Sequence, residues 1–282
     1  MSAAARPILM GVVNVTPDSF SDGNRFLDPD AAAAHAVRLA HEGAAIIDLG
    51  AEASSFFRPG IAPVPADEQL RRLQPVLARL HDVGSISIDT RSAEVVRALA
   101  RIKPIIVNDI SAGTHDPGML ETVAALGCSM VLMHMSPTFP DDPARDDRDI
   151  VETVGAFLDQ RLNAAMKAGI GREQLLVDPG LGFGKTAADN WRLVLEADRF
   201  LRLGCPVVMG ASRKRFLQRA GEGPQHEVMG PMMRKIGHLA PLAEHERDMA
   251  SAAATAYLAQ RGIPIHRVHN LALAAAAMRD FA

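Results

Sequence analysis

One event repeated eight times constrains this 282-residue chain more than anything else in it: an apolar run, a polar group where the run stops, then a helical pattern. Residues 8–13 stop at Asn14, 45–47 at Asp48 with Glu52 close behind, 86–88 at Asp89-Thr90, and 105–107 at Asn108-Asp109. Residues 130–133 stop at His134 and 175–177 at Asp178, while 206–210 lead into Ser212-Arg213-Lys214 and 263–265 into Arg267 and His269. Short apolar runs of this kind read as buried strands. Eight of them alternating with helices, in a chain near the roughly 250 residues typical of the architecture, predict an α/β fold: one (β/α)8 barrel domain over 1–282. A doubly wound open sheet also binds ligands outside the carboxyl ends of its strands, but it gathers them at a switch point and has no need of a polar terminus on every strand. In a barrel all eight ends converge on one mouth, so the active site is expected there.

The loops carry the chemistry. After the first strand, Asn14-Val15-Thr16-Pro17-Asp18-Ser19-Phe20-Ser21-Asp22-Gly23 combines turn residues with a dense set of hydrogen-bonding groups. Asp30 is expected to cap a helix that runs to about Glu42 and is closed by Gly43. After the second strand, the adjacent Phe56 and Phe57 beside Arg58 belong to no helical pattern. They either fold back on the rim or form a lid that meets an aromatic or anionic ligand. Asp67-Glu68 begins a helix to about Leu80. Ser92 is better placed than Asp89 to cap the helix after the third strand, which leaves Asp89 free to face the mouth. Asn108-Asp109 offers an amide and a carboxylate suited to a donor-and-acceptor heterocycle. His134, between Met133 and Met135, has no companion at metal-ligand spacing and reads as a packed residue rather than part of a zinc site.

Asp178-Pro179-Gly180-Leu181-Gly182-Phe183-Gly184-Lys185-Thr186 looks like a nucleotide-binding loop, but Pro179 stands where that motif needs its first Gly. What remains is a Gly-rich turn that brings backbone close to a flat ligand, with Asp178 at the strand end and Phe183 available to stack. Ser212-Arg213-Lys214-Arg215 and Arg267-Val268-His269 place cations after strands seven and eight, where barrels commonly hold phosphate.

A net charge of -3 gives no bulk electrostatic reason to bind nucleic acid. Only Cys128 and Cys205 are present, which suits small buried hydrophobes in a reducing compartment better than a disulfide framework. Residues 1–7 are too short and polar for a signal sequence, and no run approaches a membrane span, so a cytoplasmic protein is expected.

Taken together, residues 10–23, Ser87-Ile88-Asp89-Thr90, Asn108-Asp109, Leu132-Met133-His134-Met135, 178–185, Ser212-Arg213-Lys214 and Arg267-Val268-His269 resemble dihydropteroate synthase, in that family's order and over nearly the whole chain. The resemblance implies condensation of 6-hydroxymethyl-7,8-dihydropterin diphosphate with 4-aminobenzoate, with release of pyrophosphate, in folate synthesis. It implies a pterin pocket of Asp89, Asn108, Met133, Asp178 and Lys214. Asn14, Arg267 and His269 would hold the diphosphate and its Mg2+, with Asn14 the metal ligand. Thr16, Phe20, Asp22, Arg58 and Pro59 would lie in two loops that assemble the aminobenzoate site, and Ser212 would contact the aminobenzoate carboxylate. The groups expected at the chemical step are Asp89, Asp178, Lys214, Arg267 and His269; no side-chain nucleophile is required. A homodimer is expected on the same ground.

Two stretches depart from the family pattern. Ala53-Ser54-Ser55-Phe56-Phe57 separates Glu52 from Arg58 by a longer and more aromatic loop, which implies altered sulfonamide sensitivity. Residues at about 219–245 form an insertion containing a Met-rich patch, expected to be either irregular surface or a partner face. Two other readings stay open: a catalytically silent pterin-binding paralogue, and a pterin-dependent methyltransferase domain. Ser212-Arg213-Lys214 and Arg267-Val268-His269 argue against the second, because methyl transfer releases no diphosphate.

Overall fold

The computed structural model describes residues 6–16, 28–52, 63–136, 139, 149–219, 225–244 and 246–281. Through the first half of the chain, β1 (Ile8–Asn14), β2 (Ala44–Gly50), β3 (Ser85–Asp89) and β4 (Ile106–Asp109) alternate with α1 (Pro29–His41), α2 (Ala66–Leu77), α3 (Ala93–Leu99) and α4 (Met119–Leu126). β5 (Ser129–Met133), α5 (Ile150–Lys167), β6 (Leu175–Asp178), α6 (Ala187–Leu195) and β7 (Val208–Met209) follow. α7 (His226–Lys235), α8 (Glu246–Gln260), β8 (Ile265–Val268) and α9 (Leu271–Asp280) complete the chain. All eight strands pair in parallel, in the order β6-β5-β4-β3-β2-β1-β8-β7. A single bridge between Val177 and Val207, with the Val177 N–H donating to Pro206 O at 3.0 Å, joins β6 to β7 and brings the sheet round into a nearly closed barrel.

Strand side chains alternate between two faces. Met10, Ile46, Val131, Leu176, Val208 and Ile265 turn inward and form a small apolar plug, separate from the larger core between the sheet and the helices. Two residues further along β2, β4, β5, β6 and β8, on the same inward face, stand Asp48, Asn108, Met133, Asp178 and Arg267, while Gly210 occupies that position beyond β7. The polar floor of the mouth is thus one pleat period above the apolar plug.

Several local expectations are adjusted. Asp28, not Asp30, caps α1 by accepting the Asp30 N–H, and α2 spans Ala66–Leu77 behind Pro65, with no side-chain cap. Ser92 does cap α3, accepting from the Val95 N–H, and Gly43 has a φ of 106° just past α1. β2 continues through Asp48 to Gly50, and β8 begins two residues later than the apolar run suggests, so that Arg267 lies within it. In the described part of the 219–245 stretch, α7 turns Met229 and Met232 into the main core, and a 3-10 helix covers Gly237–Leu242. Those two methionines are therefore packing residues of this chain rather than an adaptable outer face. Cys128 and Cys205 are free and buried.

Candidate active site at the barrel mouth

Asp89, Asn108, Met133, Asp178, Phe183, Lys214 and Arg267 are among the lining of the cavity over the plug. Ladder register explains the convergence: Asp89 lies beside Asn108 on β3 and β4, and Met133 beside Asp178 on β5 and β6. Gly50 lies beside Asp89, and a Cβ there would meet Asp89 Cβ at 3.5 Å and Asn14 Oδ1 at 3.6 Å. The missing side chain keeps the Asn14 and Asp89 ends of the mouth close.

Arg267 organises the floor. Its Nε donates to Asp48 Oδ2 at 2.7 Å and its Nη2 to Asp89 Oδ2 at 3.1 Å. Asp48 is fully buried and also accepts from Asn108 Nδ2, at 3.3 and 3.4 Å. Asp48 was among the polar strand ends expected at the mouth, but the sequence assigned it no role. The signal was its place as the polar group ending the second run; what the sequence lacked was the partner, which lies 219 residues away.

The buried setting shifts the charged groups. Burial is the main cause that pushes the Asp89 carboxyl up to about 7; Arg267 opposes it, while Asp48, Glu52 and Asp109 add to it. Asp178 is likewise raised by burial, although the Gly180 N–H (2.7 Å) and the cations Lys214, Lys185 and Arg267 favour its ionised form. Lys214 is brought down to about 8 by burial and then by Arg267. Its Nζ stands 4.2 Å from the centre of the Phe183 ring, a cation–π contact that fixes both side chains at the wall. Burial, followed by Arg267, holds His269 down at about 3, so it is a neutral imidazole at pH 7. Its backbone N–H donates to Ser212 Oγ at 3.2 Å and its Nδ1 lies 3.0 Å from the same oxygen.

The loop after β6 is wound around Lys185, which does not reach the cavity. Its buried ammonium donates to the carbonyls of Gly180 (2.8 Å), His134 (3.2 Å) and Phe183 (3.3 Å). Gly180, Gly182 and Gly184 all take positive φ. At Gly180 a Cβ would fall 1.9 Å from His134 O, so only Gly allows the loop to lie against the end of β5. Lys185 therefore binds the chain's own carbonyls, in accord with the failed nucleotide-loop match.

Other candidates are sorted by the fold. Asp109 is adjacent to Asn108 but faces the opposite way, and its carboxylate holds the next turn through the N–H groups of Ser111 and Gly113 and the Ser111 hydroxyl. The expected amide-and-carboxylate pair is thus divided between two faces. His134 is buried edge-on against Phe157, with ring centres 4.9 Å apart, outside the mouth. Arg213 turns away from the cavity to Asp248. Thr16 is buried where β1 ends, and its hydroxyl has no hydrogen-bond partner among the described residues. Phe20, Asp22, Arg58 and Pro59 lie outside the described residues.

A family model described as pterin binding enzyme matches residues 10–269. A curated dihydropteroate synthase of Mycobacterium leprae is 39% identical over 93% of this chain and 88% of its own length. The chain belongs to the dihydropteroate synthase family. An Escherichia coli K12 dihydropteroate synthase is 35% identical over 98% of the chain and 90% of its own. Among solved structures, the Xanthomonas albilineans dihydropteroate synthase with 4-aminobenzoic acid superposes with a TM-score of 0.80, at 40% identity, covering 98% of this chain and 92% of that one. The same enzyme in complex with 7,8-dihydropteroate gives 0.78 at 39% identity, with coverage of 98% and 93%. Members of this family are transferases, and the mouth described above is where the fold places such chemistry.

Proposed function

We infer that this transferase condenses 6-hydroxymethyl-7,8-dihydropterin diphosphate with 4-aminobenzoate, giving 7,8-dihydropteroate and pyrophosphate. The observation that carries the reading is the inward layer of Asp89, Asn108 and Asp178 facing Arg267 and Lys214 in one cavity. Two carboxylates and an amide match the ring amines and ring nitrogens of a pterin, and Met133 and Phe183 supply apolar walls for its faces.

Transfer breaks the bond between the pterin methylene carbon and a diphosphate oxygen, and the aminobenzoate nitrogen takes that carbon and loses a proton. Negative charge grows on the leaving oxygen, and the guanidinium of Arg267 is placed to meet it with the N–H groups that Asp48 and Asp89 leave free. Asp178 and Asp89 face the electron-poor carbon and stabilise its positive character. The neutral His269 offers a hydrogen bond to a diphosphate oxygen. Burial of the floor excludes water, which would otherwise capture the reactive methylene carbon.

Asn14, on the inward face at the end of β1, fits one ligand position of Mg2+, an ion that keeps waters and substrate oxygens for most of its shell. Bound there, the ion would neutralise charge on the leaving diphosphate. Thr16 and Ser212 are proposed to serve aminobenzoate, as are the loop residues Phe20, Asp22, Arg58 and Pro59 on the family resemblance alone. The longer 53–57 stretch is proposed to change sulfonamide response, tested by comparing inhibition constants before and after shortening it to family length; equal constants would refute it. A homodimer in the cytoplasm is proposed on the family resemblance alone; light scattering reads its mass. Among the described residues, no helix is long and apolar enough to cross a membrane.

The decisive assay is pyrophosphate release from dihydropterin diphosphate and Mg2+, with and without 4-aminobenzoate. Release that depends on aminobenzoate supports the synthase. Pterin binding without condensation would point instead to a silent paralogue.

A further inference from the structure

Two short segments, 212–214 after β7 and 269–270 after β8, carry Ser212, Lys214 and His269, and they are cross-linked on both sides. On the inner side, Ser212 Oγ holds His269. On the outer side, Asp248 of α8, only 1% exposed, accepts Arg213 Nε at 2.8 Å, Arg213 Nη2 at 3.1 Å and Asn270 Nδ2 at 3.2 Å. Asn270 in turn caps α9 by accepting the Leu273 N–H at 3.1 Å. The backbone between Ser212 and Lys214 is also gripped: the Arg213 N–H donates to Ser251 Oγ at 2.9 Å, and Arg247 Nη1 donates to Arg213 O at 2.8 Å.

Arg213 has a φ of 58°, a left-handed conformation that is uncommon for a non-glycine residue and persists only where its surroundings enforce it. The grip from α8 supplies that enforcement. Around this peptide Lys214 lines the mouth and Ser212 holds His269, while Arg213, between them, turns away to Asp248.

We propose that Asp248, with Arg213 as its partner, is a positioning residue of the synthase: it holds the strained peptide at 213 and thereby sets Lys214 at the pterin wall and Ser212 for the aminobenzoate side of the reaction. The inference rests on the reading of Ser212 and Lys214 given above. It goes beyond that reading in assigning a role to α8, which does not reach the cavity.

The test is steady-state kinetics on Asp248→Asn, with the Kd of a diphosphate-free pterin measured beside it. Lys214 lines the pterin cavity beside Phe183, so the pterin Kd is expected to rise several-fold, and kcat/KM for aminobenzoate to fall about tenfold or more through lost orientation. Arg213→Gly in the Asp248→Asn background should recover most of that loss, because glycine takes the left-handed conformation unaided. Ser251→Ala, which removes one backbone anchor and no charge, should shift kcat/KM in the same direction by a smaller factor and covers the case in which Asp248→Asn fails to fold. Unchanged kcat/KM in both Asp248→Asn and Ser251→Ala would overturn the proposal. So would a loss that Arg213→Gly leaves in place, which general damage would cause. Lys214→Ala separates the two levels: if it keeps full turnover, the site reading itself falls, and if it loses turnover while the Asp248 and Ser251 variants do not, only the positioning role falls.

Discussion

Asp89 gains its proton at an unusually high pH because it is buried among carboxylates, a penalty that Arg267 beside it offsets only in part. A carboxyl near 7 must be ionised to accept hydrogen bonds from a pterin amine, so kcat/KM for the pterin substrate should rise with pH toward a plateau above about 7. A profile that is flat from pH 6 to 8 at saturating aminobenzoate would contradict this. Asp48 makes a different kind of contribution, since it is fully buried and its work is to hold Arg267 and Asn108. Asp48→Asn leaves Arg267 with one carboxylate instead of two. The expected outcome is a loss of roughly 3 kcal/mol in stability by urea titration, as for other broken buried pairs, together with a fall in kcat/KM of about tenfold or more.

At the scale of elements, the loop after β6 shows how backbone shape is turned into side-chain placement. Glycines at 180, 182 and 184 allow the close turn, Lys185 draws three carbonyls together, and the result is that Phe183 meets Lys214 at the wall. Gly180→Ala should weaken pterin binding by about tenfold or more in calorimetry, because a Cβ 1.9 Å from His134 O forces the loop off β5. Ser92→Ala is the contrasting case. It removes the cap of α3, outside the mouth, and should cost about 1 kcal/mol while turnover per folded molecule is unchanged.

Over the whole molecule, the sheet and its helices bury more than apolar groups. His266 points from β8 into the packing between sheet and helices and is only 1% exposed. Burial holds its pKa down at about 4 against an ordinary 6.5. The sign follows directly: above pH 6.5 neither folded nor unfolded chain carries the proton, whereas between 6.5 and 4 the unfolded chain takes it and the folded chain does not. Stability is therefore lost as pH falls through that window, by up to about 1.4 kcal/mol per pH unit for this group. Urea midpoints at pH 7 and 4.5 should differ less in His266→Met than in the parent chain; an unchanged difference would show that the burden lies elsewhere.

The sequence by itself determined the barrel, because a run of apolar residues ending in a polar one is a local pattern and its eightfold recurrence needs no knowledge of contacts. It also marked Asp89, Asn108, Met133, Asp178, Lys214 and Arg267, each at or just beyond the end of such a run, and the structure brings these into one cavity. Tertiary structure alone decided which neighbours share a face and which charges pair. Asn108 and Asp109 are separated by the pleat, Arg213 leaves a three-cation run for Asp248, and Asp48 acquires its partner from the far end of the chain. The physical reason is the same in each case: the energy of a buried charge depends on what stands within a few ångströms of it, and in a closed sheet those neighbours come from strands far apart in sequence.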